Sequence, residues 1–482
     1  MALRAKLSAP KEEQVLWGWH SAKWMELSAS SLWKGERRLE AENYLAGGYG
    51  LRLAMQKLGA PTMQTVANVW QPSRLKGIQV SREFGTPFLA ATQVLDLRPT
   101  PRKFLSLDRT DSADDRKVQS GQIVVTCSGA VGKAALAYAP HENTLISHDL
   151  LRISPVQKDS WGWIYAYLRS KQAIAMMTSA QYGHVIKHLE PEHLHALSIP
   201  IPATDRLEEF QLIAEKILAL RNESWRLQLE SEELFSTAVG GTSKKATTAI
   251  GFEVKASDVF SGRRRFDGAF YAPSATAILD RFARAKLSIE PLEKVTKRVW
   301  WMSRFKRVFG ADGVPYLSAD ELFSVNPPIT KRVMLEQAEN AEEFFVKSGW
   351  IVMARSGQVY GLNGSVSLMT KWHESAFLSD DLVRIIPDTD KIRPGYLFTA
   401  LGHPTLGRPL VIRNAYGTSI PHLDPSDIAA VPIVRLANDV ESKIADAAEK
   451  AVALRAEADT LENEMAQRAT ELIDRYLAGH PI

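Results

Sequence analysis

The stretch "YGHVIKHLEPEHLHALSIP", residues 182–200, packs four of the chain's eleven histidines into twelve positions. His184 and His188 lie four apart, and His193 and His195 follow closely. Imidazoles gathered this way could hold a zinc ion, and with it an enzyme, provided three or four ligands stay together. Thiolate chemistry is narrower: Cys127 is the chain's one cysteine, so no disulfide framework or thiolate cluster can form within it. Whether the histidines are ligands depends on the elements that would position them, and a second stretch bears on that.

The chain of 482 residues is written twice. "MELSASSLWKGERRLEAENY" (25–44) lines up with "FEVKASDVFSGRRRFDGAFY" (252–271), and "SRLK" (73–76) with "SRFK" (303–306). "SGQIVVTCSGAV" (120–131) matches "SGWIVMARSGQV" (348–359), and "DLLRISP" (149–155) matches "DLVRIIP" (381–387). The histidine stretch matches "YGTSIPHLDPSDIAAVPIV" (416–434). A period above two hundred residues is a duplicated module, too long for a solenoid repeat. In the second copy Thr418, Asp427 and Ala429 stand where His184, His193 and His195 stand in the first, and only His188 and His422 persist. A turn entering a short helix, with one structural histidine, fits both copies. A zinc site does not.

Within each module, "GQIVVTC" and "GWIVMAR" are short β-rich runs closed by "SGA" and "SGQ" turns, which predicts hairpins. "AENYLAGGYGLRLAMQKLG" and "SATAILDRFARAKLS" read as helices. Each module ends in a long helix signal. Phe210, Ile213, Ile217, Leu220, Ser224, Leu227, Ser231 and Leu234 step by three and four, as do Val440, Ile444, Ala447, Ala451, Leu454, Ala458, Leu461 and Met465. That spacing is a coiled-coil seam, and two such seams in one chain favour pairing with each other. "GGTSKKATTA" (240–249) is a linker by composition. The fold class expected is α+β: two duplicated domains separated by two long helices in a coiled coil, with pseudo-two-fold symmetry.

The net charge of +4 conceals an uneven distribution. Residues 262–310 hold twelve Lys/Arg against four Asp/Glu, and residues 34–82 hold eight against three. The helix regions 203–237 and 435–475 are each acidic by four. Basic segments recurring at one place in each copy suit a polyanion, whose phosphates supply salt-dependent affinity. "KRVWWMSRFKRVFG" (297–310) interleaves aromatics with cations, and "WQPSRLKGIQVSR" (70–82) is its counterpart. These segments nominate Arg74, Lys76, Arg304, Lys306 and Arg307 for phosphate or base contact, with Ser128 and Ser356 on the matched hairpins as further candidates. A 35-residue helix spans roughly 50 Å, against about 34 Å for one turn of DNA, so two unlike domains could read two unlike half-sites. The opening residues have no apolar core of signal-peptide length and no run is long enough to span a membrane, so the expected location is the cytoplasm.

The ordered set of motifs, present twice, resembles the specificity (S) subunit of type I restriction–modification systems. The resemblance runs from about Met25 to Ala478 and rests on "RRLEAENY" and "RRFDGAFY", the "SGAVG" and "SGQVYG" hairpins, and the "HLEPEHLHALSIPIP" and "HLDPSDIAAVPIV" ends. Glu40 and Asn43 depart from the Asp267 and Phe270 of the better-matched copy, and residues 1–24 have no counterpart. The resemblance implies an N-terminal extension (1–24), target-recognition domains at 25–202 and 252–434, helical regions at 203–239 and 435–482, and a linker at 240–251. It implies that the helices pair antiparallel and act as a ruler between two halves of a split double-stranded DNA target. They would dock two copies of an adenine methyltransferase subunit, with a restriction/translocase subunit as a further partner. S-adenosylmethionine would sit on the methyltransferase, and this chain would carry no cofactor and no catalysis of its own.

"VNPPIT" (325–330) invites an enzyme reading, because amino-methyltransferases hold the flipped base with an Asn-Pro-Pro-aromatic loop. Ile329 cannot stack as an aromatic would, and the first copy reads "LRPT" (97–100) there. Two other readings stay open on sequence: a DNA-reading subunit of a different phage-defence or modification complex, and a coiled-coil scaffold with non-specific DNA affinity.

Overall fold

The computed structural model describes residues 29–30, 39–45, 47–74, 77–107, 113–183, 187–241, 251–260 and 265–482. The extension 1–24, Lys76 and His184 lie outside them. Among the described residues no helix is long and apolar enough to cross a membrane. The fold mixes helix and strand and divides into two units. The first takes the described residues up to Val94 with Lys103–Leu218 and Leu461–Ile482; the second takes Leu95–Arg102 and Ala219–Thr460.

The first unit is built on a four-stranded antiparallel sheet of β1 (Ala67–Trp70), β2 (Ile123–Thr126), β3 (Ala134–Leu136) and β4 (Leu150–Pro155), in the order β1-β4-β2-β3. The second unit has β5 (Thr296–Trp301), β6 (Ile351–Ala354), β7 (Val366–Leu368) and β8 (Leu382–Pro387), in the order β5-β8-β6-β7. The expected hairpins are β2–β3 and β6–β7. All four residues of β2 and of β6 are buried, as a continuous apolar run requires. Successive side chains of a strand point to opposite faces, so β6 feeds two cores. Ile351 and Met353 join Val383, Ile385 and Tyr396, while Val352 and Ala354 join Leu382 and Leu378. Each unit also has a smaller sheet containing a parallel pair: Thr86–Leu89 on Leu145–Ile146 in the first, Phe309–Leu317 on Phe377–Leu378 in the second.

The two long helices are Thr204–Ala238, 35 residues, and Asn438–Leu477, 40 residues. Arg435, counted with the second helix on sequence, instead ends the strand Pro432–Arg435 and pairs with Glu441 at 2.9 Å. Every seam position named above is buried or half-buried. In the second unit Arg221 meets Asp459 at 2.6 Å and the Ser224 hydroxyl donates to the Ala451 carbonyl at 2.7 Å, so the helices there run antiparallel. In the first unit Arg468 pairs with Glu209 at 2.7 Å.

Each unit seats a short helix on its long one through a glycine. Gly162 begins the Trp161–Leu168 helix directly on Phe210, where a Cβ would overlap the Phe210 carbonyl. Gly395 in Pro394–Gly402 does the same at Ala445, whose carbonyl oxygen would lie 2.6 Å from a Cβ. From the next residue of each helix, the Trp163 indole donates to the Pro200 carbonyl at 2.9 Å and the Tyr396 hydroxyl donates to the Val434 carbonyl at 2.6 Å. These bonds fix the "SIPIP" and "VPIV" runs that lead into the long helices.

Candidate nucleic-acid interface

The basic segment of the second unit starts where β5 ends. Trp300 and Trp301 close the strand, residues 302–308 form a loop, and Phe309 opens the next strand. Arg298 lies 4.3 Å from the Trp300 ring centroid and pairs with Glu343 at 2.9 Å; Arg355 lies 4.1 Å from the Trp301 ring. Within the loop, Phe305 turns inward, and Arg307, though exposed, is tied down by its partners. Phe305 packs edge-on against Phe344 and Phe377, with centroids 5.1 and 5.5 Å away. Arg307 pairs with the Asp380 carboxylate and stands over Phe305 and Tyr316. Arg304 and Lys306 are exposed and form no ion pair with any described residue. Phe305 and Arg307 therefore anchor the loop that presents Arg304 and Lys306 to solvent.

The first unit places Arg74 likewise, exposed, four residues past the end of β1. Its preceding residue is held from below. Arg116, 2% exposed, donates to the Ser73 carbonyl at 2.8 Å and to the Ser73 hydroxyl at 3.1 Å.

The two candidate serines sit elsewhere, at matched tethers. Ser128 bridges His188 by backbone, and Ser356 bridges His422. Each histidine exchanges both backbone hydrogen bonds with a tyrosine: His188 with Tyr182 at 2.8 and 3.0 Å, His422 with Tyr416 at 2.8 and 2.9 Å. The Ser356 hydroxyl is also engaged internally, with Asp381 and, at 2.7 Å, with His422 Nδ1. His193 completes a capping box, its Nδ1 accepting from the Glu190 N–H at 2.9 Å at the start of the Pro191–His195 helix. The second copy uses Asp424 as its cap, accepting from the Ser426 N–H at 2.9 Å. His188 and His193 thus have local structural partners.

Other polar residues escaped the sequence reading. Arg152 in β4 and Arg384 in β8 are completely buried. Arg152 donates to the carbonyls of Ser147, Leu150 and Ile146 at 3.0, 2.5 and 3.0 Å. Arg384 donates to those of Leu382, Phe344, Leu378 and Ser379 at 3.1–3.3 Å. Burial pulls both guanidinium groups down to about 10, still cationic at neutral pH. The signal was present: an arginine retained inside an apolar strand in both "DLLRISP" and "DLVRIIP". Arg265 of "RRFDGAFY" is similarly structural. It donates to the Asn414 and Ala415 carbonyls at 2.9 and 3.0 Å and pairs with Asp267 at 2.8 Å.

No protein-family model matches the chain, and no curated protein matches it. The chain is similar over most of its length to S subunits of type I restriction–modification systems. Against the S subunit from M. genitalium the identity is 13%, covering 87% of this chain and 94% of that one, with a TM-score of 0.28. Against the HsdS subunit from Thermoanaerobacter tengcongensis it is 15%, covering 87% and 96%, with a TM-score of 0.25. A chain from a structure concerned with complex assembly and conformational transition of the type I R-M system gives 13%, 86% and 97%, and 0.26.

Proposed function

We propose that this chain is a non-catalytic DNA-recognition subunit. It reads a bipartite double-stranded target and directs a partner adenine methyltransferase to it, with a restriction/translocase subunit as an additional partner. One observation carries the reading: a basic loop follows the first strand of the main sheet in each unit, with Arg74 in one and Arg304 and Lys306 in the other exposed. Repetition of the sheet order supports reading the units as duplicated target-recognition domains. The buried seams and the antiparallel pairing of Arg221 with Asp459 and Ser224 with Ala451 support a coiled coil that spaces them. Arg74, Lys76, Arg304 and Lys306 make phosphate or base contacts in this reading. Arg307 holds the shape of the second of these loops, and Ser128 and Ser356 sit apart from them, at the matched hairpin tethers.

The test is base-resolution methylation mapping of DNA from cells expressing this chain with the methyltransferase encoded beside its gene, against that methyltransferase alone. A split motif methylated only when this chain is present is the expected result. A stable complex with no new motif would overturn it and favour a scaffold or a non-methylating defence complex.

A further inference from the structure

The second unit contains a cavity of about 120 Å³ that the DNA-reading proposal does not use. Its walls come from the Leu95–Arg102 segment, the long helix around Glu232, the loop after Ser356 and the start of the Arg408–Ile412 helix. Backbone bonds place the first of these: Leu97 N–H donates to the Phe323 carbonyl at 2.8 Å, and Val325 N–H donates to the Leu95 carbonyl at 2.7 Å. The charged groups facing the cavity are Asp96, Arg98, Arg102, Glu232, Arg408 and Arg455.

These charges do not balance. Arg98 and Glu232 neutralise each other through a two-point pair, one arm of which is 2.7 Å. Burial pushes the Asp96 carboxyl up to about 6 against the pull of the nearby Arg102 charge, so at neutral pH it stays mostly ionised and offsets Arg102, not Arg408. Arg408 spends one nitrogen on three neutral oxygens, the carbonyls of Val359, Gly361 and Asn363, at 3.1, 2.7 and 3.0 Å. Neither Arg408 nor Arg102 forms an ion pair with any described residue. Burial and the nearby charges of Arg102 and Arg98 all disfavour the Arg408 cation. Arg408, half-buried with no carboxylate partner and with the exposed Arg102 lining the same cavity, is a costly arrangement that an anion relieves.

We propose that this cavity is a binding site for a phosphate-class oxyanion, held between the Arg102 and Arg408 guanidinium groups. A planar guanidinium fork matches the oxygens of a tetrahedral oxyanion and makes charge-assisted bonds to them. The volume is about four times the roughly 30 Å³ share of a liquid water, enough for one phosphate group. The inference is independent of the DNA-reading proposal.

The experiment is calorimetric titration of the full chain with inorganic phosphate, against chloride at matched ionic strength. It is repeated on Arg102→Gln and Arg408→Lys. Arg102 is exposed, so its substitution should leave thermal unfolding unchanged while weakening phosphate binding tenfold or more. Arg408→Lys keeps the charge, loses the fork and should weaken binding by a similar factor. A duplex-DNA arm separates the sources. Duplex that competes with phosphate and loses affinity in Arg102→Gln identifies a backbone phosphate; duplex indifferent to both identifies a free one. Absence of saturable phosphate binding, or equal affinity in wild type and Arg102→Gln, would overturn the proposal.

Discussion

Arg307 donates to the Asp380 carboxylate, while Arg304, three residues earlier in the same loop, is exposed and unpaired among the described residues. Two arginines of one basic run therefore do different work. Asp380 is 2% exposed, so removing Arg307 leaves a buried carboxylate without its partner. Arg307 itself is part-exposed, which discounts the pair for solvent screening, and Arg307→Ala is expected to cost about 1–2 kcal/mol of stability. Arg304→Ala and Lys306→Ala should leave stability unchanged and weaken duplex binding. Each should flatten the dependence of log affinity on log salt by about one unit, the signature of one lost phosphate contact. Urea denaturation and salt-dependent binding, run on all three variants, separate the two roles. Equal loss of stability in all three would show that the loop does not divide this way.

The glycine seats give a prediction for each unit. Gly162→Ala and Gly395→Ala both drive a methyl group into helix backbone, at the Phe210 and Ala445 carbonyls. Neither backbone can swing aside as a side chain would, so each variant should lose about 1–3 kcal/mol. Gly47→Ala is the control, because a Cβ there meets nothing within 4 Å and alanine favours the helix. Calorimetric unfolding of the three variants measures this. A neutral Gly162→Ala would mean that the short helix is not seated on the long one.

The elements read best from sequence were those whose pattern is local. The hairpins, the helices at Gly47–Lys57 and Pro273–Arg284 and the two long helices follow from β-rich runs and apolar steps of three and four. Comparison of the copies also separated His188 and His422 from the histidines around them. What sequence could not show is which residues of a basic run are tied down by a partner and which are left unpaired. Arg307 and Arg304 have the same chemistry, and only Asp380, 73 residues away, distinguishes them. Leu95–Arg102 was equally illegible. Its sequence lies inside the first module, but its backbone bonds go to Phe323 and Val325 and its arginine to Glu232. Pairing across so many residues leaves no periodic trace.

The buried arginines should be intolerant even of lysine. Arg384 Nη2 alone reaches three carbonyls, and a single ammonium cannot reproduce that planar fork. Arg384→Lys and Arg152→Lys are each expected to cost about 2–4 kcal/mol, since buried carbonyls lose their donors. Arg384→Met should cost at least as much. Urea denaturation of the six-residue strands' variants beside wild type gives the values, and a silent Arg384→Lys would show that the carbonyl cage contributes little.

Acid should destabilise both units through one repeated device. His141 Nδ1 accepts from the Tyr138 N–H at 3.0 Å, and His373 Nδ1 accepts from the Thr370 N–H at 3.1 Å, so both serve as unprotonated acceptors. Burial holds both down to about 4, from an ordinary 6.5. Between those values the unfolded chain binds more protons than the folded one, so stability is present above pH 6.5 and is lost as pH falls toward 4. For His141, 1% exposed, the loss by pH 5 is about 2 kcal/mol. His373 is only half-buried, and its share is smaller. His373→Asn offers a side-chain oxygen to the Thr370 N–H without a titrating ring. It should therefore reduce the fall in unfolding temperature between pH 7 and 5 while changing little at pH 7. Calorimetry of wild type and His373→Asn across that range decides it. Parallel pH profiles would locate the acid sensitivity elsewhere.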